Sequence, residues 1–271
     1  MYVCTLGDLL LDVVVRLDEP IAEDTDAYGR IRVAPGGQAA NVAAWAAELG
    51  ARARLIAAHA RDAAGRLLQD ELRARGVELS GCELAEGTGT VVSLATPDGS
   101  RSMLTDRGIA QELARSSLEP ADLAGCDVLH VAGYSLVRDP SRATALEAAE
   151  VARRAGALVS LDVSSVGAAR HAGLEAFRDA CVAVGPDIVF ATEAERSLVR
   201  GVEADTWVVK RGADGFEVEG PSGRSAHAAV RTEIVDATGA GDALAAGYLV
   251  GGPSLAAEAA ARCVSTLGAM P

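Results

Sequence analysis

The chain has 271 residues, 49% of them apolar, which is enough for one large α/β domain or one such domain with a small appendage. Its net charge of −13 argues against a nucleic-acid or anionic-membrane partner. Five scattered cysteines without a Cys-x-x-Cys suit reduced thiols in the cytoplasm, and no apolar run is long enough to be a membrane span.

In chain order, 2–6 is a short apolar strand. After a Gly-Gly pair, 38–49 places Val42, Trp45, Ala46 and Leu49 on one helical face. A strand is predicted at 54–58. Asp62 then caps a helix that carries Leu67, Leu68 and Leu72 and ends at Gly76. Buried strands follow at 127–131, 157–163, 187–191 and 206–210, separated by helical stretches at 141–155 and 174–184. This alternation predicts an α/β fold, a mainly parallel central sheet flanked by helices.

Two regions break the rhythm. Segment 13–33 holds strand-like pieces at 13–17 and 30–33 around an acidic loop. Segment 88–106 reads as a hairpin, 90–95 and 102–105, turning at Pro97-Asp98-Gly99-Ser100. Both are predicted to form a small β lid inserted into a core of 1–12, 34–87 and 107–271.

Chemistry concentrates at three places. Asp236-Ala-Thr238-Gly239-Ala240-Gly241-Asp242 is a turn of small residues opening into a helix. Backbone N–H groups and the positive helix end make such a turn an anion site, most naturally for phosphate. A carboxylate there, Asp242, is placed to take a proton from an attacking hydroxyl. Taken alone, Gly239-Ala240-Gly241-Asp242 also fits a plain turn with an Asp cap. Gly36-Gly37-Gln38-Ala-Ala-Asn41 lets a ligand approach the backbone, with the Asn41 amide one turn into a helix; a solvated Asn on a core helix is the plainer alternative. In Gly7-Asp8-Leu-Leu-Leu-Asp12, Asp12 lies where α/β folds bind ligands and is suited to accept two sugar hydroxyls; a loop carboxylate or a cap fits it equally well. No spacing fits a zinc site or a Ser-His-Asp triad.

Gly36-Gly37-x-x-x-Asn41 and Asp236-x-Thr238-Gly-Ala-Gly-Asp242, in this order, resemble the two signatures of the ribokinase-like sugar kinases, the phosphofructokinase-B family. The resemblance covers nearly the whole chain, including Thr192-Glu-Ala-Glu195 and Lys210-Arg-Gly212-Ala-Asp-Gly215. It implies a Rossmann-like core and an ATP-dependent kinase that phosphorylates a hydroxyl, a primary one, on a small molecule. Asp242 would be the general base, and Gly239, Ala240 and Gly241 the anion hole for the γ-phosphate. Asp12, Gly36, Gly37 and Asn41 would hold the acceptor. Thr192, Glu195, Lys210, Gly212 and Gly215 would lie at the nucleotide, with Glu195 organising Mg²⁺ through water. Asp236 would belong to a K⁺ site. The lid would close over the acceptor and exclude water, and it offers a surface for a homodimer.

The chain also departs from that family. Thr192 stands where Asn is usual, Leu10 where ribokinase itself has Asn, and Lys210 where a small hydroxyl residue is frequent. Gln38 replaces the Lys that meets phosphorylated sugars, and Asp162-Val-Ser164-Ser-Val166 lacks the Arg of sugar-acid kinases. These absences favour a neutral acceptor, a sugar or a nucleoside. The scarcity of aromatics, with only Tyr28 and Tyr134 as stacking candidates, tilts the expectation to a sugar. A nicotinamide dehydrogenase fits poorly, because Gly239-x-Gly241 is followed by Leu244 and lies at the wrong end of the chain. A P-loop kinase is excluded because the only lysine is not in a Gly-Lys-Ser/Thr motif. A non-catalytic binding regulator on the same fold is disfavoured by the retained Asp242.

Overall fold

The computed structural model describes residues 1–21, 23–96 and 101–271. The turn expected at 97–100 lies outside these residues. The chain opens with β1 (Tyr2–Leu6), β2 (Leu10–Leu17) and β3 (Gly29–Gly36), then α1 (Gln38–Glu48), β4 (Arg52–Ala60), α2 (Ala63–Ala74) and β5 (Val77–Leu84). β6 (Thr90–Ala95) and β7 (Arg101–Asp106) follow. The second half runs β8 (Val128–Ala132), α3 (Ser141–Arg154), β9 (Leu158–Asp162), α4 (Val166–Ala172), α5 (Leu174–Val184) and β10 (Ile188–Thr192). It ends with α6 (Glu193–Leu198), β11 (Thr206–Lys210), the hairpin β12 (Phe216–Gly220) and β13 (Gly223–His227), and α7 (Ala240–Val264).

Nine strands form the central sheet in the order β13-β12-β11-β10-β9-β8-β1-β4-β5. It is parallel from β11 to β5, and the β12–β13 hairpin adds an antiparallel edge. The apolar strands are those buried on both faces, as parallel sheets require. On one face Leu6, Leu129 and Val159 pack with Phe177 and the alanines of α3. On the other, Val3, Leu55 and Phe190 pack against α1 and α7, with Trp45 almost wholly buried. The Trp45 indole N–H donates to the Ala269 carbonyl at 2.9 Å, tying the last residues to α1. α7 kinks at Gly251 and Gly252, before Pro253, whose ring cannot continue a regular helix.

The predicted elements are present, with shifted ends. The strands expected from 127 and 187 start one residue later, because those aspartates serve the neighbouring strand instead. Asp127 accepts from the Tyr2 N–H at 2.6 Å, and Asp187 from the Val159 N–H at 2.7 Å. Asp62 caps α2 through the Gly65 N–H at 2.7 Å; Leu68 and Leu72 are buried, while Leu67 faces outward. The sequence pattern predicts no element at β5, β12, β13, α4 or α6.

The two irregular segments join as a separate four-stranded sheet, β3-β2-β6-β7. Its inner pair, β2–β6, is parallel and the outer pairs are antiparallel. β2 and β3 extend beyond 13–33, so Asp12 rides on the small sheet beside Ala34 and Val91. Asp8, and not Asp12, holds the place just past β1.

All five cysteines are free thiols, and no helix among the described residues is long and apolar enough to cross a membrane.

Candidate active site

The site lies between the small sheet and the C-terminal ends of the central strands. Gly36 and Gly37 carry β3 into α1. Gly37 has φ +99°, and a Cβ there would sit 2.5 Å from the Asp8 carbonyl oxygen, so the turn demands glycine twice over. A Cβ on Gly36 would fall 2.1–2.3 Å from the Asp12 carboxylate atoms, which shows how closely Asp12 lies over the turn. One turn into α1, buried Asn41 donates from Nδ2 to Asp242 Oδ2 at 2.7 Å. Its Oδ1 finds no partner within the described protein, and Asn41 lines the cavity above.

Asp242 stands in the first turn of α7, behind Gly239 with φ +77°. Asp236 shapes the approach. Its Oδ1 accepts from the Thr238 N–H (2.9 Å) and hydroxyl (2.6 Å), and its Oδ2 from the Gly268 N–H (3.1 Å). Burial pushes the Asp242 pKa up to about 7. The carboxylates of Asp162 and Asp8 add to the rise, while the Asn41 bond and Lys210 oppose it.

Two cavities meet at this turn. The first, about 610 Å³, is lined by Asp8, Asp12, Gly37, Asn41, Arg107, Tyr134 and Ser164, and reaches Thr238, Gly239 and Asp242. The second, about 370 Å³, is more apolar; Lys210, Gly212, Gly215, Ile234 and Leu244 line it, and it reaches Ala237, Ala240 and Gly241. Gly239, Ala240, Gly241 and Asp242 therefore form the wall between them. Their N–H groups belong to a helix start and lack intrahelical acceptors.

Thr192 and Glu195 line neither cavity. They cap α6 reciprocally: the Thr192 N–H donates to Glu195 Oε2 at 2.7 Å, and the Glu195 N–H to the Thr192 hydroxyl at 3.3 Å. Among the described residues, no cluster of three His, Cys, Asp or Glu side chains is arranged to hold a metal.

The first cavity also contains Arg107 and Asp8, to which the sequence pattern gives no role. Arg107 donates to buried Asp8 at 2.7 Å, and its guanidinium carbon lies over the Tyr134 ring, 3.8 Å from the centroid. Asp8 also accepts from the Ala39 N–H at 3.4 Å. Ser164 adopts φ +71° and donates its hydroxyl to Gln38. Tyr28 is 71% exposed and does not line the cavity, so Tyr134 is the aromatic that reaches it. Strand alternation marked neither Arg107 nor Asp8, because each follows the end of its strand.

Known proteins are similar to this chain in sequence and in fold. The family model described as pfkB family carbohydrate kinase matches residues 1–270. An ATP-dependent ribose-1-phosphate kinase of Halopiger xanaduensis is 31% identical, covering 91% of this chain and 83% of that protein. Fructokinase-1 of Oryza sativa subsp. japonica is 28% identical over 91% of this chain and 81% of its own length. The adenosine kinase of Sinorhizobium meliloti superposes with a TM-score of 0.85 at 27% identity, covering 99% of this chain and 95% of that one. An uncharacterized sugar kinase of Pyrococcus horikoshii in complex with ATP shares the fold, with a TM-score of 0.85 at 22% identity and the same coverage. The chain belongs to the pfkB family of carbohydrate kinases and is an enzyme of that class.

Proposed function

We propose that this enzyme transfers the γ-phosphate of ATP to a primary hydroxyl of a neutral sugar, with Asp242 as general base. The observation that carries this reading is the position of Asp242. It lies in the wall between two cavities, bonded to Asn41, with its pKa raised to about 7. A base with that pKa accepts a proton and is regenerated near neutral pH.

The acceptor occupies the first cavity. Asp12, the Gly36-Gly37 backbone and the unpaired Asn41 Oδ1 receive its hydroxyl protons. ATP occupies the second cavity beside Lys210, Gly212 and Gly215, and its γ-phosphate meets the N–H groups of Gly239, Ala240 and Gly241. Mg²⁺ supplies charge neutralisation on the phosphates when bound, and Glu195 would hold its waters. Asp236 accepts loop hydrogen bonds on both oxygens, and a lone pair of Oδ2 would join the shell of a K⁺ ion there. Closure of the small sheet over the acceptor keeps water from the phosphate.

Charge supports a neutral acceptor. Asp8, Asp12 and Asp242 face the first cavity, and Arg107 is already paired with Asp8. A nucleoside base would need an open aromatic face, and Arg107 occupies one of the two faces of Tyr134. One specific observation favours a second reading, a sugar phosphate: Arg107 lines the cavity, and the Halopiger relative is a ribose-1-phosphate kinase. The deciding experiment is kcat/KM with Mg-ATP across matched pairs, such as ribose and ribose 1-phosphate. Preference for the neutral member supports the first reading; preference for the phosphate overturns it.

On the small sheet, alternation turns Val13, Val15, Ile31, Val33, Val92 and Leu104 to the face opposite the cavity. Ile31 and Leu104 are 68% and 59% exposed. A second copy of the chain covering this apolar face gives the proposed homodimer.

A further inference from the structure

Lys210 ends β11 with its ammonium 2.8 and 3.0 Å from the two oxygens of Asp162, which ends β9. β10 runs between them. Phe190 is in register with Asp162, and Thr192 with Lys210, so both side chains leave the same face of the sheet. The Asp162 side chain is 1% exposed and that of Lys210 14%. Asp162 also accepts from the Ser164 N–H at 2.8 Å.

Burying an ion pair costs desolvation that its attraction barely offsets, and an apolar pair would serve the core as well. The position of the ammonium suggests another role. A Cβ on Gly241 would lie 3.6 Å from Lys210 Nζ, so the charge rests against the first turn of α7, on the side of the second cavity. Burial pulls the Lys210 pKa down, but the carboxylates of Asp162, Glu195 and Asp242 outweigh it and hold it above its usual value. The lysine therefore stays charged, clamped and adjacent to the wall of N–H groups.

We propose that Lys210 is a further catalytic residue, a fixed cation that Asp162 aims at the phosphoryl group in transfer. The inference rests on the kinase reading above. In the reaction, the acceptor oxygen bonds to phosphorus and its proton passes to Asp242. The bond from phosphorus to the bridging oxygen breaks, and its electron pair leaves with ADP. Charge on the transferring oxygens is met by the ammonium as it shifts, with no reorganisation of the site.

Lys210→Met alone strands a buried carboxylate, so the main test is the double variant Lys210→Met/Asp162→Asn. This variant should stay folded by circular dichroism, with kcat lowered about 10²–10³-fold and acceptor KM unchanged. Lys210→Arg, which keeps the charge, should recover part of that kcat. In the single Lys210→Met variant Asp162 is unopposed beside Asp242, where Asn41 and Asp8 remain, so the acid limb of kcat should move to higher pH. Wild-type kcat in the folded double variant would overturn the proposal, as would a loss confined to acceptor KM. If the folded wild-type protein formed no ADP with any sugar or nucleoside, the kinase reading itself would fail, and Lys210's assigned role with it.

Discussion

Replacing Asp242 by Asn removes the proton acceptor while keeping the size of the side chain, and the new amide oxygen can still accept from Asn41 Nδ2. Two effects of opposite sign follow. Without the base, kcat should fall by about 10²–10⁴-fold. Stability should rise. The Asp242 pKa is about 7 in the folded protein against 3.8 for the free side chain. Folding therefore favours the protonated form, and wild type loses stability as pH rises from about 4 to about 7. At 1.36 kcal/mol per pKa unit the ceiling is about 4 kcal/mol. Asp242 is half-buried and the cavity reaches it, so solvent screening reduces this to about 1–3 kcal/mol. Asn carries no such penalty. The melting temperature of Asp242→Asn minus that of wild type should thus grow between pH 5 and pH 8, by several degrees for a chain of this size. Thermal melts of both proteins across that range, with initial rates at each pH, read both effects. A gap in melting temperature that is flat or shrinks with pH would refute the desolvation argument. Near-wild-type turnover in the variant would refute the base.

Gly36→Ala puts a methyl group into the space of the Asp12 carboxylate, which can swing aside. Acceptor KM should rise about 10–100-fold, as for a lost hydrogen bond to a charged group, with little change in melting temperature. Gly239→Ala forces a side chain into φ +77° and within 2.6–2.7 Å of Ala269, so it should cost on the order of 1–3 kcal/mol or more in thermal melts and abolish turnover. Wild-type kcat should decline below a pH of about 7 as Asp242 takes up a proton, a limb that a pH–rate profile would show.

The parallel core was legible because its strands are largely buried on both faces and read as mostly apolar runs, as at β8 and β10. The Gly-Gly turn and the small-residue turn before Asp242 were legible because backbone conformation there demands glycine. What escaped depends on distance. Arg107 meets Asp8 across 99 residues, and Lys210 meets Asp162 across 48 with another strand between them. Local pattern does not encode such pairs; sheet order does. β5 mixes polar and apolar residues because it is an edge strand, and β13 is largely exposed. α6 is six residues long, too short for a periodicity, although its Thr192–Glu195 capping box is a sequence signal that could have found it.

The central claim is phosphoryl transfer from ATP to a sugar hydroxyl at Asp242. It is tested most directly by ³¹P NMR of wild type and Asp242→Asn incubated with Mg-ATP and a neutral sugar such as ribose or fructose. The account predicts equal growth of ADP and a sugar phosphomonoester with wild type, and neither with the variant. ATP left intact by the folded wild type, or split only to ADP and inorganic phosphate, would contradict it.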